Sequence, residues 1–244
     1  MYAKVENFGY QVFGKTIGDT WLSLVSLILK HGKVSYDESR LRLAVQNIRI
    51  KSANTNLTDN LIDKYADQNR INKMLELTFK SENMYDIDVV PSFSTGRRSY
   101  YKRLKEGKLL DFVVKRLSLI PESKKAAIVF PDTSDYEAVL KRPKDDYLPC
   151  LVVVQFRLQP AGKGYILNTT FYMRSVDAFQ KAHGNLISMA KMSEIVGKNL
   201  QKNLHKKIKC GSLDGFIADA HIYKETINEA KNVIKRYESE HGNG

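Results

Sequence analysis

The sequence predicts an α+β fold, a mixed or antiparallel sheet covered by helices, and three observations carry that prediction. Apolar residues recur at helical spacing in one set of segments, β-rich apolar runs fill another, and the two kinds follow each other without a regular βαβ alternation. The clearest strands are Cys150–Leu158 and Tyr165–Met173, with Gly162-Lys163-Gly164 between them as a hairpin turn. In the first of these, Cys150, Val152, Val154, Phe156 and Leu158 share one face.

The remaining elements follow in chain order. Trp21, Leu24, Val25 and Ile28 recur at helical spacing within Thr16–Lys30, and Gly32 stands as a stop. Leu41–Ile50 reads as a strand with one irregularity, and Asn60–Phe79 as a helix whose apolar side holds Leu61, Ile62, Tyr65, Ile71, Leu75 and Leu77. Pro91–Ser99 is predicted as a loop leading into a long basic helix that ends near Leu119, where Pro121 breaks it. Ala126–Phe130 is a short buried strand bounded by Pro131-Asp132. After the hairpin come a helix over Asp177–Leu200, a strand over Lys207–Ile217 and a polar helix from Tyr223 to Glu240. No internal repeat or low-complexity segment interrupts the order.

Composition narrows the function classes. A hydrophobic fraction of 43% is ordinary for a chain that buries a core, which argues against disorder. Lys and Arg number 39 against 27 Asp and Glu, so the formal charge of +12 favours anionic partners such as nucleotides or nucleic acid. The two cysteines, Cys150 and Cys210, build neither a zinc site nor a disulfide framework, and point to a reducing, cytoplasmic setting. No run of about 18 apolar residues appears, so no membrane span is expected.

Taken alone, Cys150 reads as a buried strand residue. Its company changes that reading. Pro149-Cys150 opens a strand containing Gln155-Phe156. The next strand ends at Arg174-Ser175, with Asp177, Phe179 and Asn185 after it, and Asp219-Ala220-His221-Ile222-Tyr223 stands downstream. Here the chain resembles the thymidylate synthase superfamily, which carries a Pro-Cys with Gln-Phe at this spacing, an Arg-Ser-x-Asp-x-Phe-x5-Asn block and an Asp-x-His-x-Tyr block, in this order. The resemblance runs from about Pro121 to Lys224 and implies one thymidylate synthase-like domain over 1–244.

What the resemblance implies is covalent chemistry on a pyrimidine nucleotide. C5 of the base becomes reactive once a nucleophile adds at C6, and a thiolate both adds and leaves readily. Cys150 matches the nucleophile. A free thiol has a pKa of about 8.5 and needs a nearby cation to ionise at neutral pH. Arg174 matches that cation and could equally hold a phosphate in its planar fork. Asn185 matches the amide that reads the base edge and suits uracil, whereas an Asp there, as in the related deoxycytidylate hydroxymethylases, would suit cytosine. Asp177 matches the carboxylate near the base, Ser175 a phosphate contact, and His221 with Tyr223 the pair on the sugar hydroxyl. Asp177 and Ser175 also read as caps of the following helix.

Pro121-Glu122-Ser123-Lys124-Lys125 resembles the family's Pro-Asp-Ser-Arg-Arg segment, whose arginines reach a phosphate bound by the partner subunit. The resemblance thus implies a homodimer with Lys124 and Lys125 at a shared phosphate site, and 5,10-methylenetetrahydrofolate as one-carbon donor. Two family features have no counterpart. There is no Asp-Arg-Thr-Gly-Thr loop, for whose arginine Arg40 and Arg42 are the nearest substitutes, and no His-Glu-Leu-Leu-Trp helix within Asn60–Phe79. Trp21, the sole tryptophan, lies in another helix, and a charged helix replaces the family's closing tail.

Three functions therefore stand: a methyl- or hydroxymethyltransferase acting on a dUMP-like nucleotide, a homologue that binds such nucleotides to sense or sequester them, and a nucleic-acid-binding module. The last would use Arg97, Arg98, Lys102, Arg103, Lys105 and Lys108 with Tyr100 and Tyr101 interleaved.

Overall fold

The computed structural model describes residues 1–5, 9–37, 39–85, 87, 97–141 and 147–241. Two strands, β1 (Tyr2–Val5) and β2 (Gly9–Gly14), precede helix α1 (Ile17–His31). The Thr16 hydroxyl accepts from the Asp19 amide (3.2 Å) and so caps α1, whose Trp21, Leu24, Val25 and Ile28 are buried as their spacing predicts. Strands β3 (Lys33–Asp37) and β4 (Arg40–Ser52) follow.

The single helix expected over Asn60–Phe79 is two, α2 (Asn60–Tyr65) and α3 (Gln68–Phe79). Asp59 and Asp67 each accept from an amide of the turn that follows, and the second of these caps restarts the chain as a new helix. The long basic helix is likewise split into α4 (Tyr100–Glu106) and α5 (Leu109–Leu119), where Gly107 ends one and Lys108 turns left-handed (φ 46°). Within the predicted Pro91–Ser99 loop, residues 91–96 lie outside those described.

The second half begins with β5 (Ala127–Val129) and α6 (Thr133–Lys141), a short helix that the sequence reading missed. The hairpin is present as β6 (Leu151–Ala161) and β7 (Gly164–Met173). A bulge between Leu151 and Val153 shifts the alternation, so Val152 is only half-buried whereas Val154, Phe156 and Leu158 remain on the buried face. The expected helix from Asp177 starts later: Val176–Asp177 forms the short strand β8, and α7 covers Ala182–Leu204. Strand β9 runs from Ile208 well past Ile217 to Tyr223. A 3-10 turn, Lys224–Thr226, then leads into α8 (Ile227–His241).

The nine strands among the described residues form one mixed sheet, in the order β1-β2-β4-β9-β7-β6-β5, with β3 beside β4 and β8 beside β9. Most pairs are antiparallel; β2 with β4, β7 with β9 and β8 with β9 are parallel. Gly9 sits at φ +100°, and a Cβ there would fall 2.1 Å from the Asn47 carbonyl, so only glycine lets β2 lie this close to β4. Helices α1 and α7 pack on the sheet and on each other, and bury Leu24, Ile28, Met189 and Val196 against Ile48, Phe171 and Ile217. The other face carries the register row Arg49, Phe216, Tyr172, Val153 and Val129, all exposed or half-buried. The fold is thus α+β, a sheet covered by helices on one side.

Candidate active site

The hairpin register creates the centre of the site. Because Leu151 pairs with Met173, the residues just outside that pair, Cys150 and Arg174-Ser175, are brought together at the same end of the hairpin. The Arg174 amide donates to the Cys150 carbonyl (2.9 Å), and the Cys150 sulfur lies 3.7 Å from the Ser175 hydroxyl. The thiol is half-buried and free of any disulfide. Arg174 does not aim its bonded nitrogens at the sulfur: Nε donates to the Pro149 carbonyl (3.2 Å) and Nη2 to that of Leu148 (2.6 Å). Its guanidinium therefore straps the Pro-Cys turn to the end of β7.

Cys150 opens onto a pocket enclosing about 440 Å³ of empty space, its open mouth included. Asn185 lines the same pocket from the first turn of α7, where its amide donates to the Lys181 carbonyl (2.9 Å). Met74, Leu77 and Thr78 of α3 form the opposite wall, and Tyr100, Tyr147, Val176 and Lys181 complete much of the lining. Gly184 explains how the walls meet. A Cβ on it would fall 2.3 Å from the Met74 sulfur, so this glycine admits α3 against α7 directly beside Asn185.

Two pocket-lining tyrosines stand outside the family motifs: Tyr147, which the sequence did not single out, and Tyr100, which it named only within the basic run. The Tyr100 hydroxyl accepts from the Leu151 amide (3.0 Å), and its ring stands edge-on to Phe130 at 4.9 Å. Burial, then the neighbouring Cys150, push the Tyr100 phenol up to about 12, and burial followed by Tyr100 and Cys150 raise Tyr147 well above the usual phenol range. Both phenols are therefore protonated at neutral pH. The available signals were positional: Tyr147 lies three residues before Cys150, and Lys181 one helical turn before Asn185.

The other sequence-derived residues take several places. Asp177 is buried, and its Oδ1 accepts from the amides of Phe179 (3.1 Å) and Gln180 (3.0 Å) while Oδ2 accepts from the Gln180 side chain (2.6 Å). This carboxylate organises the turn into α7. His221 pairs with Asp177 in register, and the Ala178 amide donates to its carbonyl (2.8 Å). The His221 Nδ1 lies 3.0 Å from Arg42 Nη1 and 3.2 Å from Asp219, which Arg42 also grips with both terminal nitrogens. Burial raises the Asp219 carboxyl, but hydrogen bonds from His221 and Arg42 outweigh it and hold the group below its ordinary range. The Tyr223 hydroxyl donates to Asp37 (2.6 Å), and burial followed by that carboxylate raises its pKa. The two rings meet edge-on at 4.8 Å.

Gln155 lies on the far side of the hairpin, where its amide donates to the Lys124 carbonyl (2.7 Å). Lys124 and Lys125 are exposed in the turn before β5, and Ser123 beneath them is held by Arg116 (2.7 Å). The basic run of α4 is largely neutralised. Arg103 is buried against Asp135 (2.6 Å), Arg98 meets Asp132 (2.5 Å), and Lys105 meets Glu82 (2.6 Å). Among the described residues, no cluster of three or more His, Cys, Asp or Glu could hold a metal ion, and no helix is long and apolar enough to cross a membrane.

The chain matches no curated protein in sequence. The family model for thymidylate synthase matches residues 60–243, which span both walls of the pocket and every motif described above. Agreement between that match, the hairpin that presents Cys150 and the mixed sheet behind it establishes that the chain belongs to the thymidylate synthase family.

Proposed function

We propose that the chain is a cytoplasmic pyrimidine nucleotide C5 one-carbon transferase, methyl- or hydroxymethyl-, acting on a dUMP-like uridine nucleotide through a covalent Cys150 adduct. The observation that carries this reading is the shared pocket of Cys150 and Asn185, a nucleophile and a base-reading amide on one cavity in a thymidylate synthase family member. In the proposed reaction Cys150, as the thiolate after its proton passes to water, bonds to C6 of the base and the C5=C6 electron pair moves onto the O4 carbonyl, leaving C5 nucleophilic; loss of the C5 hydrogen to water and departure of the thiolate restore the double bond. Asn185 donates to that oxygen and accepts from N3. The buried, protonated phenols of Tyr100 and Tyr147 line the pocket with Cys150, and Arg174 keeps the Pro-Cys turn in place.

The family's donor, 5,10-methylenetetrahydrofolate, would supply the carbon group when bound. The residues here depart from the family's cradle for it. The α3 wall presents Met74, Leu77 and Thr78, the nearby Glu76 bonds outward to Tyr85 (3.0 Å), and Trp21 is in the core with its indole donating to the Ala178 carbonyl (2.9 Å). No step is therefore assigned through the folate. The same observation favours a second reading, a homologue that binds the nucleotide without completing the transfer.

Assembly as a homodimer is proposed through the uncovered sheet face, where exposed Val129 and Phe216 flank Tyr172, with Lys124 and Lys125 at its margin as cross-subunit phosphate contacts. The deciding experiment is tritium release from C5-labelled dUMP, with and without methylenetetrahydrofolate, run beside calorimetric dUMP binding. Release marks the transferase, and binding without release under either condition marks the sensor. Absence of both binding and release would overturn the nucleotide assignment.

A further inference from the structure

The formal charge of +12 has to reside where carboxylates are few, and the basic run of α4 is not such a place, since Arg98, Arg103 and Lys105 meet Asp132, Asp135 and Glu82. Uncompensated charge gathers instead at the end of the sheet remote from Cys150. There the β6–β7 turn, the C-terminus of α7 and the start of β9 come together. The Tyr165 amide donates to the Lys207 carbonyl (2.9 Å), Ile166 pairs with Lys209, and Arg157 pairs with Asn168. His205, left-handed at φ 51°, turns the chain from α7 into β9, which sets Lys206 over the Tyr165 ring (5.2 Å) beside the turn that carries Lys163. Arg157, Lys163, Lys202, Lys206, Lys207 and Lys209 are all exposed, and none of them forms an ion pair among the described residues. No Asp or Glu occurs in 150–176 or in 195–213. The carboxylates that border the second stretch, Glu194 and Asp214, each already meet two cations.

We infer that this end of the sheet is a docking surface for the phosphate backbone of a nucleic acid. A helix C-terminus carries only about half a negative charge, which one cation offsets, and Arg157, Lys163 and Lys209 lie on the turn and strands rather than at that terminus. The six cations do not converge on one point. Neighbouring strands lie about 4.8 Å apart, so Arg157 on β6 and Lys209 on β9, with β7 between them, are spread over about 10 Å. A single phosphate would meet one or two of these groups, whereas a nucleic acid repeats its charge closely enough to meet several at once. An acidic membrane fits less well, because 150–209 presents no exposed large apolar side chain to enter a bilayer. Gln159 accepts from Asn168 (3.2 Å), so the strip offers cations to phosphates and binding is independent of base sequence. Eleven residues of β6 separate this surface from Cys150, about 30 Å, and it stands whether or not the pocket takes a nucleotide.

The test follows fluorescence anisotropy of labelled single-stranded RNA and duplex DNA of mixed sequence. It uses the full chain, a sheet-end variant (Lys206→Gln, Lys207→Gln and Lys209→Gln together) and an α4 variant of equal charge change (Lys102→Gln, Lys105→Gln and Lys108→Gln together). The wild type is expected to bind at least one of the two, with affinity falling about thirtyfold or more between about 50 and 200 mM salt. The sheet-end variant should lose about tenfold or more in affinity and about two units of the log–log salt slope, while the α4 variant changes little. The arm that binds more tightly identifies the kind of nucleic acid. Absence of binding to both overturns the inference, and so does an equal loss in the two variants, which would reduce the effect to net charge. Displacement by excess dUMP would move the contact to the Cys150 pocket and likewise overturn it. Vesicles containing phosphatidylserine serve as the other arm: capture by them, lost in the sheet-end variant and unmatched by either nucleic acid, would assign the surface to membranes. Should the sheet-end variant fail to fold by circular dichroism, Arg157→Gln with Lys163→Gln decides by the same readouts.

Discussion

The Cys150 sulfur and the Ser175 hydroxyl stand 3.7 Å apart across the end of the β6–β7 hairpin, although 25 residues separate them in the chain. The hydroxyl is within hydrogen-bonding reach of the thiol, and the strap from Arg174 to the carbonyls of Leu148 and Pro149 fixes the turn on which the sulfur rides.

Cys150→Ala is therefore expected to reduce C5 exchange by about a thousandfold or more, since no other thiol lines the pocket, while dUMP binding persists. Ser175→Ala is expected to keep measurable exchange and to weaken nucleotide binding. Exchange and binding assays on the same two variants check this, and undiminished exchange in Cys150→Ala would remove the covalent step.

Asp177 satisfies three donors in the turn before α7, all of them buried. Replacing it by alanine leaves those donors without an acceptor, at a cost on the order of 2–4 kcal/mol. Asp177→Asn keeps an acceptor for the two amides and should lose less stability. Urea unfolding measures both. A folded, stable Asp177→Asn protein that has lost exchange would show that the carboxylate also acts on the ligand, whereas retained exchange assigns it to organising the turn.

The distribution of what the sequence revealed has a physical basis. The hairpin, α1 and the burial of Phe156 and Val154 were legible because local periodicity and a glycine turn encode them. The helix breaks at Ala66-Asp67 and Gly107-Lys108 were not, since a mid-segment cap or left-handed residue leaves the apolar period nearly intact. Cys150, Ser175 and Asn185 were named by their match to the family motifs, and the structure sets Cys150 beside Ser175 and on one pocket with Asn185. Tyr147 and Lys181, which line the same pocket, were not named, because that pocket forms where α3 approaches α7, which Gly184 permits and no local pattern announces. The ion pairs of the basic run were equally hidden from the sequence: Arg98 and Arg103 meet Asp132 and Asp135, which lie in another helix and the turn before it.

His183 gives a pH dependence with a definite sign. The ring is buried and lies 4.8 Å from Trp21, and burial, followed by the charge of Arg70, lowers its pKa from 6.5 to about 3. Between those values the unfolded chain takes up a proton that the folded chain refuses. Stability is therefore complete above pH 6.5 and falls as the pH is lowered toward 3. From pH 7 to pH 5 the loss should be about 2 kcal/mol. Urea titrations at both pH values, repeated on His183→Leu, test this: the variant should lose the difference, and an equal loss in both proteins would assign it to other groups.

The uncovered face of the sheet predicts the assembly state. Tyr172 and Phe216 stack there with centroids 6.0 Å apart and planes 10° from parallel, and Val129 extends the apolar row at 58% exposure. Arg49 and Lys51 share Asp214 at its border, a polar rim around an apolar centre of the kind that buried interfaces have. In an isologous dimer each such patch meets its own copy about a twofold axis, so one introduced charge faces itself twice. Phe216→Glu is accordingly expected to convert a dimer to a monomer in sedimentation velocity while α1, α7 and the core on the opposite face stay folded by circular dichroism. If Lys124 and Lys125 serve the partner's nucleotide, the same variant should also lose dUMP affinity, and Lys124→Ala with Lys125→Ala should reproduce that loss without dissociating the dimer. A wild-type protein that sediments as a monomer would refute the shared site, and a monomeric Phe216→Glu protein with intact affinity would separate assembly from nucleotide binding.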